Sequence, residues 1–181
     1  KRPNGGVVIA NPNAPTSIGR GLDFMREILD ANPDSVVISD EAYVDFGGTS
    51  SVPLLKEYEN LVVVQTFSKS RSMAGMRIGY ALGNKEIISA LFAAKDSYNS
   101  YPLDSVAIAA GVASVEDEEY FKATVQKVVA TRRRLTEELR AMGFDVADSS
   151  TNFLFADTAQ RISRSISRPG IFTCATSPKS A

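Results

Sequence analysis

The chain has 181 residues, no histidine, no tryptophan and one cysteine, with 20 Lys plus Arg against 21 Asp plus Glu. Without an imidazole this chain holds no Ser-His-Asp or Cys-His nucleophile pair and no His-ligated zinc, and one thiol makes neither an internal disulfide nor a thiolate cage. A net charge of −1 gives no basic field for nucleic acid or an anionic membrane, and no apolar run reaches the roughly 18 residues of a membrane span.

The elements follow in chain order. Val7-Val8-Ile9-Ala10, set between Gly-Gly and Asn-Pro, reads as a buried strand. Leu22, Met25, Ile28 and Leu29 recur at helical spacing over 21–31, and Asn32-Pro33 stops that helix. Val36-Val37-Ile38, Leu61-Val62-Val63-Val64 and 78–82 read as three further strands, and Asn84 caps a helix to about Ala94. Short β-branched strands alternating with helices predict an α/β fold with a mostly parallel sheet and flanking helices. Beyond it, 104–115 is an Ala/Val-rich helix and 117–142 a long amphipathic one, ended by Gly143 in a left-handed cap. Arg132-Arg133-Arg134, beside Glu137 and Glu138, reads as a solvated helix face. Asn152-Phe153-Leu154-Phe155-Ala156 is a candidate strand that opens a second, smaller α+β unit. From Arg161 the composition turns to Ser, Arg, Thr and Pro, with Ile162, Ile166 and Ile171-Phe172 as apolar anchors. Cys174 in that tail has no base or metal-ligand partner and reads as inert.

In a parallel α/β sheet, ligands gather at the carboxyl ends of the strands. Three strands here run into polar clusters at that edge. They are Asn11-Pro12-Asn13-Ala14-Pro15-Thr16, then Ser39-Asp40-Glu41-Ala42-Tyr43, then Gln65-Thr66-Phe67-Ser68-Lys69-Ser70, with Arg77 eight residues past Lys69. Read singly, each also fits a plain role: Lys69 a surface lysine, Asp40 a turn cap, Tyr43 a half-buried aromatic, Thr66 a strand residue. Together they suit one ligand. Arg77 and the hydroxyls of Thr66 and Ser68 suit a phosphate, and nearby positive charge helps deprotonate Lys69 for a Schiff base. Asp40 suits a protonated ring nitrogen and Tyr43 a phenolic oxygen. A phosphate, a pyridinium, a phenolate and an aldehyde carbon describe pyridoxal 5′-phosphate (PLP).

With these motifs, Ala74-Gly75-Met76-Arg77-Ile78-Gly79 and the segment Lys95-Asp96-Ser97-Tyr98-Asn99-Ser100-Tyr101-Pro102 before Asp104, the chain resembles fold-type I PLP-dependent aminotransferases. It is most similar to the histidinol-phosphate aminotransferase family, from about Val7 to Ala156. The resemblance implies that Lys69 is the Schiff-base lysine and moves the proton in catalysis. It also implies that Asp40 pairs with the pyridine nitrogen, that Tyr43 bonds the ring oxygen, and that Thr66, Ser68 and Arg77 hold the phosphate. An asparagine usual before Pro-Thr is Ala14 here, so Asn13 or Asn11 is expected to compensate, or Tyr43 to act alone. The glycine usual after Thr16 is Ser17.

By the same resemblance, 1–115 is the second half of the PLP-binding large domain and 116–181 a partial C-terminal small domain. The expected reaction joins histidinol phosphate and 2-oxoglutarate to imidazole-acetol phosphate and glutamate, a step of histidine biosynthesis. The implied protein is a cytoplasmic homodimer acting on small amino-acid and keto-acid substrates, with neither nucleic acid nor membrane as partner. Members of this family are longer, and the strand carrying their substrate-carboxylate arginine has no match among Arg161, Arg164 and Arg168. Two alternatives therefore stay open: another fold-type I PLP enzyme, such as a phosphothreonine decarboxylase or a C–S lyase, or an inactive, truncated fragment.

Overall fold

The structure, a computed structural model, describes residues 4–158 and 170–173. Arg161, Arg164, Arg168, Ile162, Ile166 and Cys174 lie outside them, and of Ile171 and Phe172 only the backbone is described. Two sheets organise the chain. The first has the order β1 (Val7–Ala10), β2 (Val37–Asp40), β3 (Leu61–Thr66), β4 (Gly79–Gly83). β1, β2 and β3 run parallel, with Ala10 opposite Asp40 and Asp40 opposite Val64, whereas β4 returns antiparallel to β3 with Thr66 opposite Gly79. The mostly parallel sheet read from the sequence is thus present, with one reversed edge strand. The reversal matters for the site: it brings the residues just before β4 to the edge where β3 ends.

The helix α1 (Leu22–Ala31) crosses between β1 and β2. Its apolar stripe buries Met25 and Leu29 against Val37, Leu61 and Val63 of the sheet and Leu54 of a 3-10 turn, each at most 1% exposed. Asn32 ends it by donating from Nδ2 to the carbonyl of Ile28 at 2.8 Å, and Pro33 cannot continue the ladder. After β4, Asn84 caps α2 (Lys85–Tyr98), its side chain accepting from the amide of Ile87 at 3.0 Å. α2 runs four residues beyond the predicted end because Lys95, Asp96 and Ser97 offer no breaker before Pro102. Asp104 caps α3 (Ser105–Glu116) and Asp117 caps α4 (Glu118–Ala141), so the two helices break at an acidic cap and do not merge. Gly143 has φ +90°, the left-handed end expected for α4.

The second sheet has the order β5 (Phe144–Val146), β6 (Phe153–Thr158), β7 (Gly170–Thr173), all antiparallel. Leu139 of α4 packs with Val146, Leu154 and Ala156 in its core. β5 has too few residues to show a strand period in the sequence, and α4 covers it.

The reading of Arg132-Arg133-Arg134 as a solvated face fails for Arg132. Its guanidinium donates from Nη1 to the carbonyls of Phe46 at 2.7 Å and Thr151 at 2.6 Å, joining α4 to the 3-10 turn that follows β2 and to the loop before β6. The stem of an arginine is long enough to run along a helix face while the head turns inward to carbonyls. Arg134 keeps the predicted role, paired with Glu138 at 3.3 Å one turn on. Among the described residues no helix is long and apolar enough to cross a membrane.

Candidate active site

The predicted residues converge on one edge of the first sheet. β1, β2 and β3 end there at Ala10, Asp40 and Thr66, and the antiparallel return of β4 delivers Arg77 and Ile78 to it. The Phe67 amide and the Thr66 hydroxyl both donate to the carbonyl of Ile78, at 3.1 and 3.2 Å, which locks the 66–68 turn beside the 77–78 backbone. Thr66 Oγ1 also accepts from the Ser68 amide at 3.1 Å. Thr66 is therefore a turn-former as well as a candidate phosphate hydroxyl.

Lys69 stands exposed on this turn, between the buried Phe67 and Ser70. Its Nζ lies 5.1 Å from the ring centroid of Tyr43, so the β2 and β3 clusters meet at the amine. The turn is anchored on both sides. Ser70 donates to the Asp45 carboxylate, and Arg71 donates to the Ser114 carbonyl while its guanidinium lies 4.1 Å from the Phe121 ring and 5.4 Å from that of Phe67.

Asp40 accepts from the Ala42 amide at 3.0 Å through Oδ1, a turn bond that leaves Oδ2 without a donor among the described residues. Arg77 has φ +57° and donates from Nη1 to the carbonyl of Ala74 at 2.9 Å, with its side chain exposed. Asn13 donates to Thr16 Oγ1 at 2.7 Å within its own loop. Asn11, the other expected compensating amide, is 2% exposed; it donates to the Arg20 carbonyl at 3.0 Å and accepts from the Arg20 amide at 2.7 Å. The structure thus joins Tyr43 with Lys69, Thr66 with the backbone before β4, and Ser68 with Thr66. No polar contact links Asn13, Asp40 or Arg77 to Lys69 among the described residues.

The donor set fits PLP. One amine, one carboxylate with an open oxygen, one phenol, two hydroxyls and a guanidinium lie along one sheet edge, the complement of an aldehyde, a pyridinium, a phenolate and a phosphate. Among the described residues no cluster of His, Cys, Asp and Glu could hold a metal ion.

Sequence reasoning missed the support beneath these groups. Glu41 is 1% exposed and accepts from Ser50 Oγ at 2.7 Å, Gln65 Nε2 at 2.9 Å, Ser39 Oγ at 3.3 Å and the Ser51 amide. Gln65 in turn accepts from the Tyr80 hydroxyl, so one carboxylate ties the ends of β2, β3 and β4 together. Partial burial, with the Asp45 and Glu41 carboxylates adding, holds the Tyr80 hydroxyl above its ordinary pKa, and Arg71 opposes them. The readable signal was an acidic residue inside an apolar strand end followed by the serine pair at 50–51. The loops also interlock. Gly47 has φ +111°, and a Cβ on Gly48 would lie 2.8 Å from Pro12 Cγ and 3.2 Å from Val44 Cα, so the close approach of the Asn11 and Tyr43 loops requires glycine there.

The family model for aminotransferase class I and II matches residues 1–165. The histidinol-phosphate aminotransferase of Acinetobacter baumannii strain AYE is 55% identical over 159 residues, which are 88% of this chain and 44% of that protein. The crystal structure of the histidinol-phosphate aminotransferase of Clostridium acetobutylicum superposes with a TM-score of 0.76 at 27% identity, over 84% of this chain and 47% of that one. The Sinorhizobium meliloti histidinol-phosphate aminotransferase, solved in complex with pyridoxal-5′-phosphate, gives 0.76 at 25% identity over 86% of this chain and 43% of that one. The chain thus spans less than half the length of these relatives. A family match over most of the chain, the shared fold and the Asp40, Tyr43, Lys69 and Arg77 pattern at one sheet edge lead to one conclusion: the chain belongs to the class I and II aminotransferase family.

Proposed function

We propose that this chain carries the cofactor side of a PLP-dependent aminotransferase whose amino donor is histidinol phosphate and whose acceptor is 2-oxoglutarate. In this reading 1–115 is the second half of the large, cofactor-binding domain and 116–181 part of the small domain. The working protein is a homodimer in the cytoplasm, in histidine biosynthesis. The family match and the 55% identity to a histidinol-phosphate aminotransferase support the reaction. The observation that carries the site is the Lys69 amine resting 5.1 Å from the Tyr43 ring at the sheet edge.

When bound, PLP supplies an electrophilic carbon for an amine and a ring that takes up the electron pair of a broken Cα–H bond. The residues do the rest. Lys69 Nζ is the amine that would hold the cofactor at its aldehyde and would serve as the base that takes the proton from the substrate Cα. Asp40 would pair with the protonated ring nitrogen, Tyr43 would donate to the ring oxygen, and Thr66, Ser68 and Arg77 would bind the phosphate. Asn13 lies on the neighbouring loop as a further cofactor-side amide.

Borohydride reduction of the full chain mixed with PLP, followed by peptide mass mapping, tests the site. We expect the trapped adduct on Lys69 in preference to the other lysines and its loss in Lys69→Ala. Adduct spread evenly over the lysines would refute the site. Amino transfer from histidinol phosphate to 2-oxoglutarate tests the substrate, and transfer from aromatic or acidic amino acids alone would overturn that assignment.

A further inference from the structure

Tyr43 sits on an element that cannot orient it alone. It precedes a single 3-10 turn, Val44–Phe46, that closes on the left-handed Gly47. One turn fixes several dihedrals for one or two hydrogen bonds and leaves its terminal carbonyls without partners. The second sheet supplies what is missing. Arg132 Nη1 donates to the carbonyl of Phe46 at 2.7 Å and, with the same group, to the carbonyl of Thr151 at 2.6 Å. The ring of Phe153, 5% exposed, packs edge-to-face on the Tyr43 ring with centroids 5.1 Å apart and planes at 88°. The Ser150 amide donates to the Ser17 carbonyl at 2.8 Å, which fixes the 149–151 segment against the loop that follows Asn11.

The supporting segment is itself rigid. Ser149 Oγ and Thr151 Oγ1 both donate to the carbonyl of Phe153, at 2.7 and 3.0 Å, and Thr151 is wholly buried. Tyr43 therefore has the Lys69 amine and a fixed aromatic, Phe153, each 5.1 Å from its ring centre, and its following turn is clamped at the carbonyl end.

We propose that Phe153 and Arg132, carried by the second sheet and its covering helix, are positioning residues that set the Tyr43 phenol for the cofactor, so that the second unit adjusts PLP binding without touching it. The inference rests on the assignment of Tyr43 to the cofactor's ring oxygen. Losing Phe153 lets the Tyr43 ring turn, which weakens the hydrogen bond at the ring oxygen and changes the pH at which the Lys69-bound cofactor titrates.

The test uses the full chain loaded with PLP, comparing Phe153→Leu, Tyr43→Phe and the double variant. The readouts are the PLP dissociation constant and the pH midpoint of the cofactor's visible absorbance, with far-UV circular dichroism to verify the fold. We expect Phe153→Leu to weaken PLP about 5-fold, the factor that matches an edge-to-face aromatic contact. Its pH midpoint should move in the same direction as that of Tyr43→Phe, and the double variant should be no worse than Tyr43→Phe alone. Should Phe153→Leu not fold, Arg132→Lys, which keeps the charge but loses the fork to two carbonyls, is read the same way. If the support variant loses only thermal stability, while Tyr43→Phe moves both cofactor readouts, the positioning role is overturned and the cofactor role of Tyr43 stands. If Tyr43→Phe moves neither readout, the assignment of Tyr43 fails and the inference falls with it.

Discussion

Replacing Glu41 tests whether one buried carboxylate holds the site edge together. Its four donors are Ser39 Oγ, Ser50 Oγ, the Ser51 amide and Gln65 Nε2. In Glu41→Ala the two hydroxyls can rotate, and Ser39 already has Ser51 Oγ at 3.3 Å as an alternative partner. The Ser51 amide and Gln65 Nε2 cannot move without breaking the turn or releasing Tyr80. Leaving a buried donor unpaired costs about 1–3 kcal/mol, so two of them cost about 4 kcal/mol together, before any cavity left by the side chain. Glu41→Gln keeps the volume, but its amide NH₂ then faces a donor on whichever side it points. One unpaired contact there predicts a loss of about 2 kcal/mol. Against a typical total of about 5–15 kcal/mol, the alanine variant is severely weakened. Urea unfolding followed by circular dichroism measures it. With a slope of about 2 kcal/mol/M, the midpoint should fall by about 2 M for alanine and about 1 M for glutamine. Midpoints within about 0.3 M of wild type in both variants would refute the reasoning, because the four donors would then be satisfied without the carboxylate.

Two further outcomes follow from residues around the same edge. Ser17 is wholly buried with φ +66°, and its Oγ has no partner among the described residues. The left-handed conformation costs a non-glycine residue about 1–2 kcal/mol and the unpaired hydroxyl adds to that, while glycine gives back up to about 1 kcal/mol in unfolded-state entropy. Ser17→Gly should therefore raise stability by about 1 kcal/mol, and an unchanged or lower urea midpoint would count against the strain. Tyr80 concerns pH. Its pKa is raised in the native state, so above about pH 10 the unfolded chain gives up this proton first and stability falls as pH rises, while below that its contribution is fully present. Tyr58, raised mainly by its hydrogen bond to Asp30, works in the same direction. Tyr80→Phe should therefore shrink, without abolishing, the drop in urea midpoint between about pH 9 and about pH 11; an equal drop in both proteins would refute the assignment.

The convergence of the cluster at one sheet edge was legible because its parts are local in the chain. Asp40 and Tyr43 are three residues apart on one turn, and Thr66, Ser68 and Lys69 share another. The strands before both turns announce themselves by β-branched runs, and parallel strands end at one edge, so the juxtaposition followed from topology alone. Asn11 and Asn13 look equivalent in sequence, and only the tertiary structure buries Asn11 against the Arg20 backbone while Asn13 bonds Thr16 in its own loop. Arg132 misled for a similar reason. Three consecutive arginines beside glutamates give the pattern of a wet helix face, and nothing local shows that two carbonyls from distant turns point at the first of them.

By itself, the sequence determined the α/β class, the cap at Asn84, and the set of groups suited to a pyridine ring and a phosphate. These depend on periodicity, capping chemistry and residue type, all properties of short stretches of chain. Tertiary structure alone decided that β4 runs backwards and so returns Arg77 to the site edge. It also decided that Glu41 gathers donors from β2, β3 and the 50–51 loop, and that Arg132 of α4 and Phe153 of the second sheet reach across to the Tyr43 turn. Those contacts join residues far apart in the chain, and what satisfies a buried donor or orients a ring is whichever group packing brings to it.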